Sequence, residues 1–122
     1  MTTVTSRTFD TPDELRTPPS ARVALVSIGP EKVAEFRMEP GWRWSESIKP
    51  IVGTDTCQAR HVGVVVSGSM QVVGADGTES AIGPGYAYVI EPGHDAWVVG
   101  EEPFIAYEFE RETAETYAKP GA

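Results

Sequence analysis

Soft metal ligands are scarce in this chain, and they sit close together. Its only cysteine, Cys57, and one of its two histidines, His61, lie four positions apart in Asp55-Thr56-Cys57-Gln58-Ala59-Arg60-His61. The other histidine, His94, follows Pro92-Gly93. A thiolate with two imidazoles is a mixed soft and borderline donor set. It suits Zn(II) first, with Fe(II), Ni(II), Co(II) or Cu as competitors. Three protein ligands and an open position would let an ion polarise a carbonyl or bind O2. A fourth ligand would close the site, and Asp55 is the candidate. The same residues carry plainer readings: a lone cysteine on a strand is a small buried hydrophobe, and Asp55 can cap a turn. Cys57 and His61 could also form a nucleophilic pair without metal, although no third group to orient the histidine is evident in the sequence.

In one straight strand Cys57 and His61 would stand about 13 Å apart, too far to share an ion. The elements that carry them therefore decide the chemistry. Residues 22–28, 32–38, 62–67, 69–73, 79–82, 86–90, 96–99 and 104–109 read as strands, from their β-branched and alternating composition. Gly29-Pro30, Pro40-Gly41, Asp76-Gly77, Gly83-Pro84-Gly85, Pro92-Gly93 and Gly100 supply the turns between them. Val62, Val64 and Val66 read as core. Residues 42–48 alternate large apolar with polar side chains and read as a further strand, which Pro50 demotes to an edge or a bulge. Residues 111–119 suit a short helix ended by Pro120-Gly121. Residues 1–20, with Pro12, Pro18 and Pro19, read as an irregular surface arm, with one helical turn or a domain-swapped strand as alternatives. About ten short strands with little helix define an all-β sandwich or barrel.

At 122 residues the chain suits one domain with one hydrophobic core. Its net charge of -8 argues against a nucleic-acid backbone or an anionic membrane surface as partner, because both would repel it. One cysteine excludes an intramolecular disulfide. No signal-peptide core and no run of ~18 apolar residues is present, so a cytoplasmic protein is expected.

Two segments are similar to a known family. In the first motif of the cupins, His-x-His is followed by Glu and then, after six intervening residues, by Gly. Here Gly68 follows His61 by that gap, so His61 falls where the family has Glu, Cys57 on the second histidine and Asp55 on the first. Gly85-Tyr86-Ala87-Tyr88-Val89-Ile90-Glu91-Pro92-Gly93-His94 resembles the second motif. His94 stands two positions before the usual metal histidine, where this chain has Ala96; positions 94 and 96 share a strand face. The resemblance covers residues 41–110 and implies a double-stranded β-helix (jelly-roll-like) barrel over residues 21–110, between the arm 1–20 and a C-terminal extension 111–122.

It also implies that Gln58-Ala59-Arg60 turn, so that Cys57 faces His61, and that Cys57, His61 and His94, with Asp55 as a candidate fourth, hold a divalent metal. Asp95 or Glu46 would orient a histidine. Trp42, Arg43, Trp44, Tyr86, Tyr88 and Trp97 are candidates to line a pocket in which a small organic molecule is bound or transformed. Loss of the usual His-His-Glu set argues against a standard Fe(II) or Mn(II) oxygenase, and whether the chain is an enzyme stays open. The rival readings are a non-catalytic metal or small-ligand sensor and a structural cupin without metal. A homodimer is expected from the same resemblance.

Overall fold

The interior is closed by strands that alternate inward and outward side chains, arranged in two antiparallel sheets. The structure is a computed structural model that describes residues 3–120. Gly121 of the expected helix stop lies outside the described residues, with Met1, Thr2 and Ala122. In chain order the elements are β1 (Glu14–Arg16), β2 (Ala21–Ile28), β3 (Glu31–Met38), α1 (Trp44–Ser47), α2 (Lys49–Val52), β4 (His61–Ser67), β5 (Ser69–Val73), β6 (Glu79–Ile82), β7 (Ala87–Ile90), β8 (Asp95–Val99), β9 (Phe104–Glu108) and α3 (Arg111–Thr116). One sheet runs β1-β2-β3-β9-β4-β7 and the other β6-β5-β8. Phe36, Val65 and Phe104 from the first meet Met70, Val72 and Val98 from the second in one core. No helix among the described residues is long and apolar enough to cross a membrane.

Glycine at position 68 is required where β4 passes into β5. Its φ is +74°, and a Cβ there would lie 2.2 Å from the Pro103 carbonyl oxygen. Only a residue without a side chain meets both conditions.

Three expectations need correction. Residues 42–48 do not extend as a strand; they lead into the short helices α1 and α2. Trp44, Ser47 and Ile48 are buried together, which is helical spacing on one face. Pro50 sits in the first turn of α2, where its missing N–H leaves no bond unmade, and Gly53 ends the helix in the left-handed conformation with φ +81°.

The segment at residues 14–16 is not irregular. It pairs as β1 with β2 of the same chain, and it carries Arg16, a buried guanidinium. That group donates to the carbonyls of Ala114, Glu115 and Tyr117 at 2.8–2.9 Å. These carbonyls close α3 and have no partner within a helix that stops there. Thr113 of α3 donates in turn to the Arg60 carbonyl. Strand β1 and the end of α3, 98 or more residues apart in sequence, are thus joined directly.

The third correction concerns the face of β4. Val62 and Val64 are only partly buried and Val66 is 52% exposed, whereas His61, Gly63 and Val65 are buried. Strand periodicity is two, so a register read from the valines selects the wrong face throughout.

Candidate metal centre

The site is built where β4, β8 and β9 begin or end. Cys57 lies before β4 and forms an isolated antiparallel bridge with His94, just before β8. The Cys57 N–H donates to the His94 carbonyl at 2.8 Å, and the Gly93 N–H donates to the Cys57 carbonyl at 2.7 Å. Gln58, Ala59 and Arg60 carry no regular structure, and the chain re-enters the sheet at His61. The two side chains therefore meet: Cys57 Sγ lies 3.7 Å from His61 Nε2. The donor atoms of Cys57, His61 and His94 all fall within 4.8 Å of one another, and all three residues are buried.

Both imidazoles are oriented by their remote nitrogens. His94 Nδ1 is 2.8 Å from the Glu91 carbonyl oxygen. A carbonyl only accepts, so Nδ1 donates to it, and Nε2 is the nitrogen left for another partner. His61 Nδ1 lies 2.6 Å from Glu108 Oε1, and Tyr88 donates its hydroxyl to Glu108 Oε2 at 2.7 Å. Glu108 is buried at the inward end of β9, opposite Gly63. A Cβ on Gly63 would come within 2.8 Å of the Tyr88 hydroxyl oxygen, so the glycine makes room for this chain of hydrogen bonds.

The electrostatics couple the thiol to the ring. Burial pushes the Cys57 thiol up, but hydrogen bonds from His61 and His94 and their charge outweigh it and bring the pKa down to about 6. Burial opposes charge on His61, yet the Glu108 carboxylate and the hydrogen bonds to Cys57 and Glu108 raise it to about 10. Without metal the pair is a thiolate beside an imidazolium. Burial, with the negative charge of Cys57 and Glu108, holds the Tyr117 hydroxyl well above its ordinary range.

The donor set fits a metal ion. In a tetrahedral zinc site, bonds of about 2.3 Å to sulfur and 2.0–2.1 Å to nitrogen put donors roughly 3.3–3.6 Å apart. The Cys57–His61 separation of 3.7 Å is already close to that. A thiolate and two imidazoles with outer partners on their remote nitrogens is a set suited to zinc.

The other expected residues take different places. The side chain of Asp55 is fully in solvent, 3.9 Å from Lys49 Nζ, and stands outside the cluster. Asp95 accepts from the backbone N–H groups of Ser45 and Ala96 and sits 3.8 Å from Arg43, so it ties α1 to β8 and does not orient a histidine. Glu46 has no hydrogen bond to either histidine among the described residues. Arg43 stacks on Trp97, its guanidinium carbon 4.3 Å from the ring centroid, on the outer surface. Tyr86 is 56% exposed.

Trp42, Trp44 and Tyr88 do line an interior cavity of about 30 Å³, together with His61, His94 and Glu108. A larger groove of about 520 Å³ runs outside, between the 58–60 segment and α3. Cys57 lines the groove; Trp44 and Tyr117 line both spaces.

Glu108 and Tyr117 were not found by motif spacing. Glu108 did leave a signal. Phe104, Ala106 and Glu108 share one face of β9, and a carboxylate in an otherwise apolar inward row needs a partner.

No family model matches the chain, and no curated protein matches its sequence. Solved structures do. A double-stranded β-helix protein from Klebsiella pneumoniae is 18% identical, with 84% of this chain and 80% of that one covered and a TM-score of 0.57. The oxalate decarboxylase of Lactobacillus farciminis is 11% identical, covering 88% of this chain but 32% of its own, at a TM-score of 0.62. The cupin domain of Schizosaccharomyces pombe Cnp3 is 12% identical over 76% of this chain and 61% of that one, at 0.52. The chain thus has the fold of a small cupin, a double-stranded β-helix.

Proposed function

We propose that this chain is a metal-binding cupin that holds a divalent transition ion, zinc foremost, through Cys57, His61 and His94, and takes up a small molecule beside it. The observation that carries this reading is the convergence of three buried donor atoms within 4.8 Å. Orientation of both rings by outer partners supports it, because such partners set which nitrogen faces the ion. Three protein ligands would leave one tetrahedral position for water or a ligand. The Lactobacillus farciminis oxalate decarboxylase was solved as a formate complex, so small molecules are bound by at least one protein of this fold.

The test is metal content. Untagged protein, reconstituted with Zn(II), should hold one ion per chain, and Cys57→Ser and His94→Ala should each lose it. Wild-type protein without metal after reconstitution would refute the reading; metal kept in both variants would mean other ligands.

One observation favours a second reading. Glu108 is the third group that a Cys57–His61 nucleophilic pair requires, placed on the far nitrogen of the histidine. If that pair acts without metal, Cys57 in metal-free protein should be alkylated by iodoacetamide much faster than a free thiol at neutral pH, and zinc should not protect it.

A further inference from the structure

We propose that the interior cavity is a subsite for a small ligand bearing an acceptor oxygen, a carbonyl or carboxylate, held by the indole N–H groups of Trp42 and Trp44. This deepens the reading above and rests on it, since His61 and His94 line the same cavity. Trp42 is 3% exposed and Trp44 2%. Their Nε1 atoms are buried and no protein group accepts from them, and among the described residues no other buried side-chain nitrogen or oxygen is in that condition.

The rest of the interior satisfies its polar atoms closely. Tyr88 reaches Glu108, Ser47 reaches the Pro19 carbonyl and Arg16 reaches the carbonyls that close α3. Folded proteins leave few buried donors unpaired. Here there are two, on residues two positions apart, both in the lining of one cavity beside the donor cluster. An indole can only donate, so an acceptor alone completes it.

The cavity limits what that acceptor can be. Its 30 Å³ leaves room for about two or three atoms the size of a water oxygen. Phe36, Met38, Met70 and Phe104 make much of the wall, so a guest must be apolar apart from the atoms that meet the two indoles. Both Glu108 oxygens are already engaged by His61 and Tyr88. A compact group with one or two acceptor oxygens and little else to solvate is the match. Among the described residues no lysine or arginine lines the cavity, so a neutral carbonyl and a carboxylate differ in whether they need the ion nearby.

Formamide and formate, nearly equal in size, separate these two sources of the same chemistry. Each is titrated into ¹⁵N-labelled protein, metal-free and zinc-loaded, while the indole N–H resonances are followed. The three tryptophans give three signals, and Trp97, outside the cavity and stacked on Arg43, is the internal reference. The expected result is a saturable downfield shift of the Trp42 and Trp44 signals with at least one probe, while Trp97 stays still. Trp42→Phe and Trp44→Phe should each remove one signal and weaken the probe by about fivefold to tenfold. Benzothienylalanine at either position keeps the ring shape without the N–H and should weaken it equally, which separates a lost donor from a disturbed fold.

Signals unmoved by both probes, or probe affinity unchanged in the variants, would overturn the subsite. Probe binding that needs zinc and leaves the indoles still would also overturn it. The metal-free titration runs whether or not zinc binds, so failure of the metal reading and failure of the subsite remain distinguishable.

Discussion

Glu108 holds Nδ1 of His61 at 2.6 Å, and this places Nε2 of the same ring 3.7 Å from the Cys57 sulfur. A carboxylate on the last strand thereby sets the aim of a ring on a strand that begins 47 residues earlier.

Glu108→Gln keeps an acceptor for the ring N–H but removes the charge; Glu108→Ala removes both. Zinc affinity, read by competition with a chromogenic chelator, should fall by about tenfold for Gln and nearer a hundredfold for Ala, the range for outer-partner loss. Equal affinity in all three proteins would show that Glu108 does not orient His61 toward an ion.

Metal binding should release a proton. At pH 7.5 the metal-free site holds a Cys57 thiolate, with its pKa near 6, and a His61 imidazolium, with its pKa near 10. An ion must displace the imidazolium proton. Apparent affinity should therefore rise about tenfold per pH unit from roughly 6.5 to 9.5. Calorimetry in two buffers of different ionisation enthalpy should report about one proton lost per ion bound; none lost would contradict the ion pair.

The same two groups pull folding stability in opposite directions. Cys57 falls from 9.0 to about 6 on folding, so its contribution is present above 9 and lost as pH drops through 6. His61 rises from 6.5 to about 10, so its contribution is present below 6.5 and lost as pH climbs through 10. Between 6.5 and 9 the slopes cancel, and metal-free stability from this pair should be flat, falling only above 9. Urea midpoints across this range check it; Cys57→Ser should uncover the falling slope of His61 wherever that imidazolium persists.

Arg16→Met keeps the apolar stem and removes the guanidinium from the three carbonyls that close α3. Loss of charged hydrogen bonds in a buried setting should cost about 2–4 kcal/mol. Amide exchange over residues 113–117 should accelerate more than exchange in β3 or β9. Uniform acceleration would mean that Arg16 supports the whole barrel.

Gly68→Ala combines a positive φ with a contact of 2.2 Å to backbone. It should lower the urea midpoint by the equivalent of about 2–4 kcal/mol with little change in slope. A stable Gly68→Ala protein would show that the β4–β5 passage can shift.

What the sequence shows clearly here follows from local chemistry. Asp76-Gly77 marks its hairpin, and the β-branched runs mark β2, β4, β5 and β8, because strand propensity and turn chemistry act over a few residues. The proximity of Cys57 and His61 is different. Gln58-Ala59-Arg60 has no turn-forming residue, and only the motif resemblance breaks the strand there. The break is made by pairing with His94, a tertiary effect. Trp44 misleads for a related reason: with Trp42 it looks like strand alternation, while Ser47 and Ile48 complete a helical face. Tyr117 reaches the site from the end of α3, which Arg16, distant in sequence, helps to hold. Such a partnership leaves no mark at either position alone.

Cys57 borders the outer groove, whereas His61 and His94 border the cavity. The cluster is therefore set in a bulkhead and not at the bottom of a well. A molecule entering from the groove would meet sulfur first, beside Gln58, Arg60 and bulk water. One already inside meets imidazole first, among phenylalanine and methionine side chains where charge is poorly screened. The thiol thus borders a wet space, while the two imidazoles border a dry one, so the two sides of one cluster differ in how strongly charge is felt.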